Sequence, residues 1–477
     1  MTRVLLNLFP VYAAILLLMS LYPNITCAQN APPSPERQWL GPGEQQIKRD
    51  AELFRDSKPN IDSAKIYSLV ELIDFAESHN PETRFAWERA RAQAAALGVA
   101  RSELYPTLAA AALSFTERDD ILAGSTFVRQ TVETLRVAFE VNYTVFDFGA
   151  RAGRIDAAKA ELLAANFAFN DTHRNIIFRV EKAYYELLNA TGQVIAARTS
   201  FTNAQTAQQA AEDRLKQGLA TRPDVLEARS ATAQAELDLQ SVIGAKDVAA
   251  GDLATALGVL PTTAIQVQSI DDLPIPLSLS DNVEAAIDRA FEQRPDLLQQ
   301  VTEIRAATAR VKEARSAYYP SLELSFGPGT QTQFGREEFF ARTHRGGFTG
   351  DLGFSLKWTL FDGGARKNRL ANERANLRAA EAQLNVKRDQ IANETWAAYS
   401  NARTAFQQRQ AARALLQAAS QSYASALEAY SYGVRSFLDV TAAQRTLADA
   451  QAADVFARAR VLSSLAELAF RIGDKRP

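Results

Sequence analysis

The sequence predicts a mainly α-helical fold with a membrane β portion, in which one helix-strand-strand-helix-helix unit is built twice. Three observations carry this. First, Phe146-Asp147-Phe148-Gly149-Ala150-Arg151 returns as Phe361-Asp362-Gly363-Gly364-Ala365-Arg366, and in both copies the phenylalanine precedes a glycine (Gly218, Gly433) by 72 residues. Those glycines precede Gly258 and Gly473 by 40 residues in both copies. Second, runs of residues alternate between apolar and polar with period two. Third, the tracts between them are very long and almost free of Gly and Pro.

In chain order, residues 1–28 carry Arg3, an apolar stretch from Val4 to Leu21, and Thr26-Cys27-Ala28 before a polar, Pro-rich run. That is the pattern of a secretory signal. Cys27 admits two readings, lipidation or removal with the leader. Asn24-Ile25-Thr26 lacks the upstream Leu and small residue of a lipidation site, which favours cleavage after Ala28. The rest of the chain has no Cys and no Met, so it offers no disulfide and no thiolate metal site. Residues 29–66 show no apolar period and read as an N-terminal extended segment. The first structural repeat then runs 67–259, a linker 260–280, and the second repeat 281–473.

Each repeat opens on helical text. The first such stretch runs from about Ser68 to Leu104, broken at Pro81 and ended by Pro106, because the residue before proline leaves the α region. Strands are expected near 107–117, 134–146, 320–328 and 351–361. Leu135, Val137, Phe139, Val141, Tyr143 and Val145 alternate with Arg136, Ala138, Glu140, Asn142 and Thr144. Leu352, Phe354, Leu356, Trp358 and Leu360 do so against Gly353, Ser355, Lys357 and Thr359. A barrel strand between lipid and water alternates this way, and so does a half-buried soluble sheet. On the membrane reading, Val137, Phe139, Val141, Phe354, Leu356 and Trp358 face lipid, while Arg136, Glu140, Glu323 and Lys357 face water. Segments 118–133 and 329–350 read as polar loops. Gly327-Pro328-Gly329 reads as a strand terminator.

Long helices are expected near 150–217 and 365–432, with return helices near 222–258 and 436–472. From Ala365 to Tyr432 there are 68 residues without Gly or Pro. A seven-residue stripe, Leu370, Leu377, Leu384, Ile391, Ala398 and Ala405, matches Ile155, Leu162, Phe169, Ile176, Ala183 and Ala190. A strict heptad signals helices packed along their length. Each long helix ends at a glycine, and Thr221 or Ser436 can cap the returning helix with an acid, Asp224 or Asp439, three residues on.

The duplicated unit resembles the TolC-like outer membrane factor (outer membrane efflux protein) family over about residues 66–473. The resemblance rests on Tyr105-Pro106 and Tyr319-Pro320 at the strand starts and on the F-D-x-G-x-R exits. The tip text Ala429-Tyr430-x-x-Gly433-x-x-Ser436-x-x-Asp439-Val440-x-x-Ala443-Gln444 adds to it. It implies a homotrimer with a 12-stranded β-barrel in the outer membrane, continued by a long α-helical barrel in the periplasm. The function implied is the exit duct of a tripartite efflux or type I secretion system. Its partners would be a periplasmic adaptor (membrane fusion protein) and an inner-membrane pump of RND, ABC or MFS type. Physics agrees on one point: four strands with two open edges cannot stand alone in lipid.

The resemblance places Gly218, Leu219, Ala220, Thr221, Gly433, Val434, Arg435 and Ser436 at adaptor-docking tips. It implies an acidic constriction built chiefly from Asp439, assisted by Asp224 and Glu227, with Arg435 and Tyr430 as the latch. Asp439 could instead only support the N-terminus of the returning helix.

Other classes fit less well. With 53 basic and 55 acidic residues there is no basic surface for nucleic acid. His79, His173 and His344 lie far apart, and neither a phosphate loop nor a nucleophile elbow is present. No catalytic residue, metal site or cofactor is expected. A periplasmic coiled-coil adaptor or structural interaction protein explains the helices but not the duplicated strands. Drug, metal, protein and polysaccharide cargo all stay open. The missing Met and Cys count mildly against a dedicated copper exporter.

Overall fold

The computed structural model describes residues 44–53, 61–270, 273–276, 279, 282–337 and 341–474. The leader and Cys27 lie outside them. Residues 1–59 form one unit, of which one helix is described, α1 (Glu44–Leu53). The extended reading of 29–66 is corrected there, since residues 44–53 are helical.

The second unit, residues 60–477, holds both repeats. The first begins at β1 (Ile66–Tyr67) and α2 (Leu69–His79) and continues through α3 (Pro81–Ser102), β2 (Thr107–Ala123) and β3 (Thr126–Phe146). It ends with α4 (Ala150–Lys216) and α5 (Arg222–Ala256). Then β4 (Gln266–Val267) pairs in parallel with β1. The second repeat comprises α6 (Val283–Gln293), α7 (Pro295–Ser316), β5 (Ser321–Phe326), β6 (Gly329–Glu337), β7 (Thr343–Thr349), β8 (Leu352–Lys357), α8 (Ala365–Ser431) and α9 (Phe437–Ile472). The duplication is retained to the residue in three helix pairs: α2 and α6 have 11 residues each, α3 and α7 have 22, and α4 and α8 have 67, while α5 and α9 have 35 and 36.

Local chemistry explains where the long helices start. Asp147 accepts from the backbone N–H of Gly149 at 3.2 Å and of Arg151 at 2.8 Å, while Arg151 Nε closes back on the same carboxylate at 3.0 Å. Asp362, Gly364 and Arg366 repeat this at 3.1, 3.0 and 2.8 Å. The glycine before each helix has φ of +94° or +88°, a conformation glycine adopts without a Cβ penalty. The F-D-x-G-x-R text is therefore a strand-to-helix corner.

In the second half the heptad stripe is half-buried at Leu370, Leu377 and Leu384, becomes buried from Ile391 on, and is longer than its first six members. Ile391, Ala398, Ala405, Ala412, Ala419 and Ala426 are all buried, at intervals of seven ending at Gly433. In the first half Ile176, Ala190, Ala204 and Ala211 are buried on the same repeat, which ends at Gly218. Alanine at the seam lets α4 and α5, and α8 and α9, approach closely. At 1.5 Å per residue each long helix carries its distal turn about 100 Å from the strands.

Two loop expectations are corrected. Residues 118–133 are mostly strand, because β2 and β3 pair without a break from Thr107↔Asn142 to Ala123↔Thr126. Within 329–350, β6 and β7 pair with each other, and β6 pairs with β3. Gly327-Pro328 does not end the strand: β5 and β6 lie on the same strand β3, and Pro328 O accepts from Phe139 N at 2.9 Å. The sheet is thus four long antiparallel strands in the order β2, β3, β5 with β6, and β8 with β7.

Candidate functional site

The register sorts the lower sheet into two faces. Leu108, Val137, Phe139, Val141, Leu324, Phe326, Leu352, Phe354 and Leu356 share one face by direct cross-strand pairing. Arg136, Glu140, Glu323 and Lys357 share the other. Val137, Phe139, Phe354 and Leu356 are all more than half exposed in the protomer. Trp358, also exposed, lies one residue past β8, and its indole N–H donates to Tyr318 O at 3.2 Å. On the polar face Arg136 pairs with Asp351 at 2.9 Å. Among the described residues β2 and the β7–β8 strand each leave one edge unpaired. Unpaired backbone cannot face hydrocarbon, so closure requires further copies.

At the far end of the helices, two turns are built alike. Gly218 and Gly433 have φ of +73° and +76°. Leu219 N bonds Arg214 O at 2.8 Å, and Val434 N bonds Ala429 O at 2.9 Å, the six-to-one bond of a Schellman C-cap. Thr221 with Asp224, and Ser436 with Asp439, then form capping boxes. The turns expose Leu219 and Val434, while Ala220 is half-buried.

Beneath the turns the two hairpins share one core of Ala207, Ala211, Val225, Ala228, Tyr430, Phe437 and Val440. Tyr430 is 5% exposed and meets Phe437 edge-on, and burial pushes its phenol pKa up. Its cationic neighbour is Arg214, 4.6 Å over the ring, which also donates to Ser431 O at 2.8 Å. Sequence reasoning missed Arg214, because the second copy has Ala429 at that position and duplication gives it no signal. Arg435 reaches Asp439 at 3.8 Å with both side chains exposed. Hydrogen bonds from the Ser436 side chain and backbone hold the Asp439 carboxyl below the usual range. Within one protomer, then, Asp439 is a helix-capping acid. Glu227 is exposed one turn past Asp224.

No helix among the described residues is long and apolar enough to cross a membrane. An open-edged sheet with one apolar face, extended by paired helices of about 100 Å, defines the protomer of a membrane duct. The family model for outer membrane efflux proteins matches residues 72–259 and 286–474. Protein CyaE of Bordetella pertussis is 30% identical over 73% of this chain and 71% of its own length. Outer membrane protein OprJ of Pseudomonas aeruginosa is 24% identical over 79% and 78%. The solved outer-membrane channel OprN superposes with a TM-score of 0.74 at 21% identity, covering 88% of this chain and 95% of that one. The chain belongs to the outer membrane efflux protein family. It is an outer-membrane channel of an efflux or type I secretion system, with its helical part in the periplasm, and not an enzyme. The family forms trimers with efflux-system partners.

Proposed function

We propose that the duct is passive and engages a periplasmic adaptor through its two tips, the adaptor linking it to an inner-membrane pump of RND, ABC or MFS type. The observation that carries this is the paired turn, which presents Leu219 and Val434 to solvent at the end of the helices remote from the strands. Gly218 and Gly433 fix the turns, and Ala220, Thr221, Arg435 and Ser436 complete the docking surface. Scanning 434–436 with bulky charged residues should abolish adaptor crosslinking and export while trimer yield is kept. Intact export with all three changed would remove the tips from docking.

Asp439, assisted by Asp224 and Glu227, forms an acidic constriction where three copies meet, favouring cations by its focused negative field. Arg435 and Tyr430 act as its latch, and the Arg214 contact to Ser431 O supports adding Arg214 as the tie between hairpins. Asp439→Asn should lower cation selectivity in single-channel recordings. Arg435→Ser with Tyr430→Phe should raise conductance. Unchanged selectivity in the first variant would leave Asp439 as a cap alone. Val137, Phe139, Val141, Phe354, Leu356 and Trp358 face lipid in this reading. The β1–β4 ladder supports a collar on the helical barrel formed by residues 61–67 with the described part of the 260–280 linker and the C-terminal end. The rest of the collar expected from 29–66 lies outside the described residues or in the other unit.

A further inference from the structure

Above its apolar band, the same face of the sheet becomes basic. The β2–β3 pleat continues without a register shift, so Arg118, Asp120, Arg129 and Glu133 share the face of Val137 and Phe139. Arg118 pairs with Thr131, and Thr131 pairs with Arg336, so the two arginines flank one position in a single cross-strand row. Arg342 directly precedes β7, whose ladder with β6 ends at Gly335↔Thr343 next to Arg336, and His344 pairs with Phe334 one row below. Arg118, Arg336, Arg342 and His344 are all exposed. The opposite face at this height carries Glu117, Asp119, Glu337 and Arg345 instead. Charge is thus sorted by face, basic on the apolar side and acidic on the other.

Arg118 and Arg336 stand on either side of the neutral Thr131 with Glu133 on the diagonal, so positive charge exceeds negative in this row and suits an anion. Among the described residues, the acids on that face are Asp120, paired with Arg129 at 3.6 Å, and Glu133 one row lower. Arg118 Nε donates to the neutral Thr131 hydroxyl at 3.2 Å. Guanidinium forks match phosphate oxygens in pairs. The row lies four residues above Leu135, where the apolar alternation of β3 begins, or about 13 Å along the strand. For a strand tilted about 45° that is roughly 10 Å above the band, the level of outer-leaflet head groups.

We propose that Arg118, Arg336 and Arg342 form a belt that binds the phosphate groups of the phosphorylated glycolipid in the outer leaflet. The proposal rests on the lipid-facing reading of Phe139 and Phe354. The test uses the full-length trimer in detergent, titrated with bisphosphorylated lipid A, dephosphorylated lipid A, or inorganic phosphate alone, and read by native mass spectrometry. The wild type should prefer the phosphorylated glycolipid by about tenfold or more, as several charge-assisted bonds would give. Arg118→Gln/Arg336→Gln/Arg342→Gln should lose that preference, and Arg345→Gln, on the other face, should keep it. The single variant Arg336→Gln, expected to lose part of the preference, serves if the triple variant does not assemble. Equal binding of both glycolipids by the wild type, or an unchanged preference in the triple variant, overturns the belt. Inorganic phosphate binding as tightly as the glycolipid also overturns it, in favour of a free-anion site. Loss of preference in Arg345→Gln alone would show that the facing is inverted. Labelling Phe354→Cys with lipid-soluble and water-soluble maleimides checks the facing independently.

Discussion

At the junction between short and long helices, the first half places Asn80, Glu82 and Arg179, and the second places Arg294, Asp296 and Glu394 at the equivalent positions. Asn80 Nδ2 donates to Ala256 O at 3.0 Å, and Arg179 grips Glu82 with two bonds of 2.8 and 2.5 Å while both side chains stay about half exposed. In the second half Arg294 is 6% exposed and donates to Asp296 at 2.7 and 3.0 Å, to Glu394 at 2.9 Å and to Arg471 O at 3.5 Å. Lys387 reaches Asp296 at 2.9 Å, and Arg471 reaches Glu394 at 3.0 Å. Asp171 and Arg174 of α4 interact with the same group. One backbone plan thus carries a solvated ion pair in one half and a buried network in the other. Duplication fixed helix lengths and caps, and left the junction free to specialise.

Arg294→Met should break this comparison most sharply. It removes the cation that Asp296 and Glu394 share and leaves each with one, Lys387 and Arg471, at a cost of about 1–3 kcal/mol. Arg179→Met in the first half should cost under about 1 kcal/mol. Denaturant unfolding of the detergent-solubilised protein would measure both, and equal costs would mean that the network is not what holds the second half. Acid should separate the halves as well. Burial alone would raise the Asp296 carboxyl, but hydrogen bonds from Arg294 and Lys387 outweigh it and hold the group well below the usual range. The stability that Asp296 contributes is therefore present above the ordinary carboxylate value of about 3.9 and is lost as pH falls below that value toward the folded one. Asp296→Asn should flatten the pH dependence of stability in this window.

Where the halves agree, equivalent changes should cost the same. Phe139 and Phe354 occupy corresponding places on the apolar face. An arginine at either should cost about 2–4 kcal/mol near the bilayer midplane, whereas Lys357→Ala should leave assembly nearly unchanged. Trimer yield and heat-modified mobility report both. Gly218→Val and Gly433→Val should each cost about 1–2 kcal/mol through the left-handed backbone, read as lowered melting midpoints. A large difference between them would mean that one tip relaxes its turn. The smallest effect belongs to Tyr430→Phe, since its hydroxyl has no hydrogen-bond partner among the described residues. Stability should change by less than about 0.5 kcal/mol, while channel conductance decides its part in the latch.

Much of the fold was legible because its signals are local. Capping boxes at Thr221 and Ser436, the corner at Asp147 and Asp362, and heptads of alanine all act within a few residues of themselves. The strands were legible only where one face is apolar. Residues 118–133 and 329–350 escaped because each face there mixes apolar and charged residues, Leu122, Phe127 and Phe334 on one and Ile121, Val128 and Val132 on the other, and hydropathic alternation leaves no trace when both sides are mixed. The apolar residues of β3 and β8 were legible as one shared face, since period two fixes parity without any knowledge of the partner strand.

By itself the sequence determined the repeat, the helix lengths, the turns and the parity of the strands, all set by backbone propensity and short-range hydrogen bonds. Only the tertiary structure decided that Tyr430 lies under Arg214, whose bond to Ser431 O spans 217 residues, and that Arg294 joins Glu394 across 100. It also decided that Arg118 and Arg336 share one row. These pairings depend on which helix or strand becomes a neighbour, and that choice is made by packing over the whole chain, which no local pattern encodes.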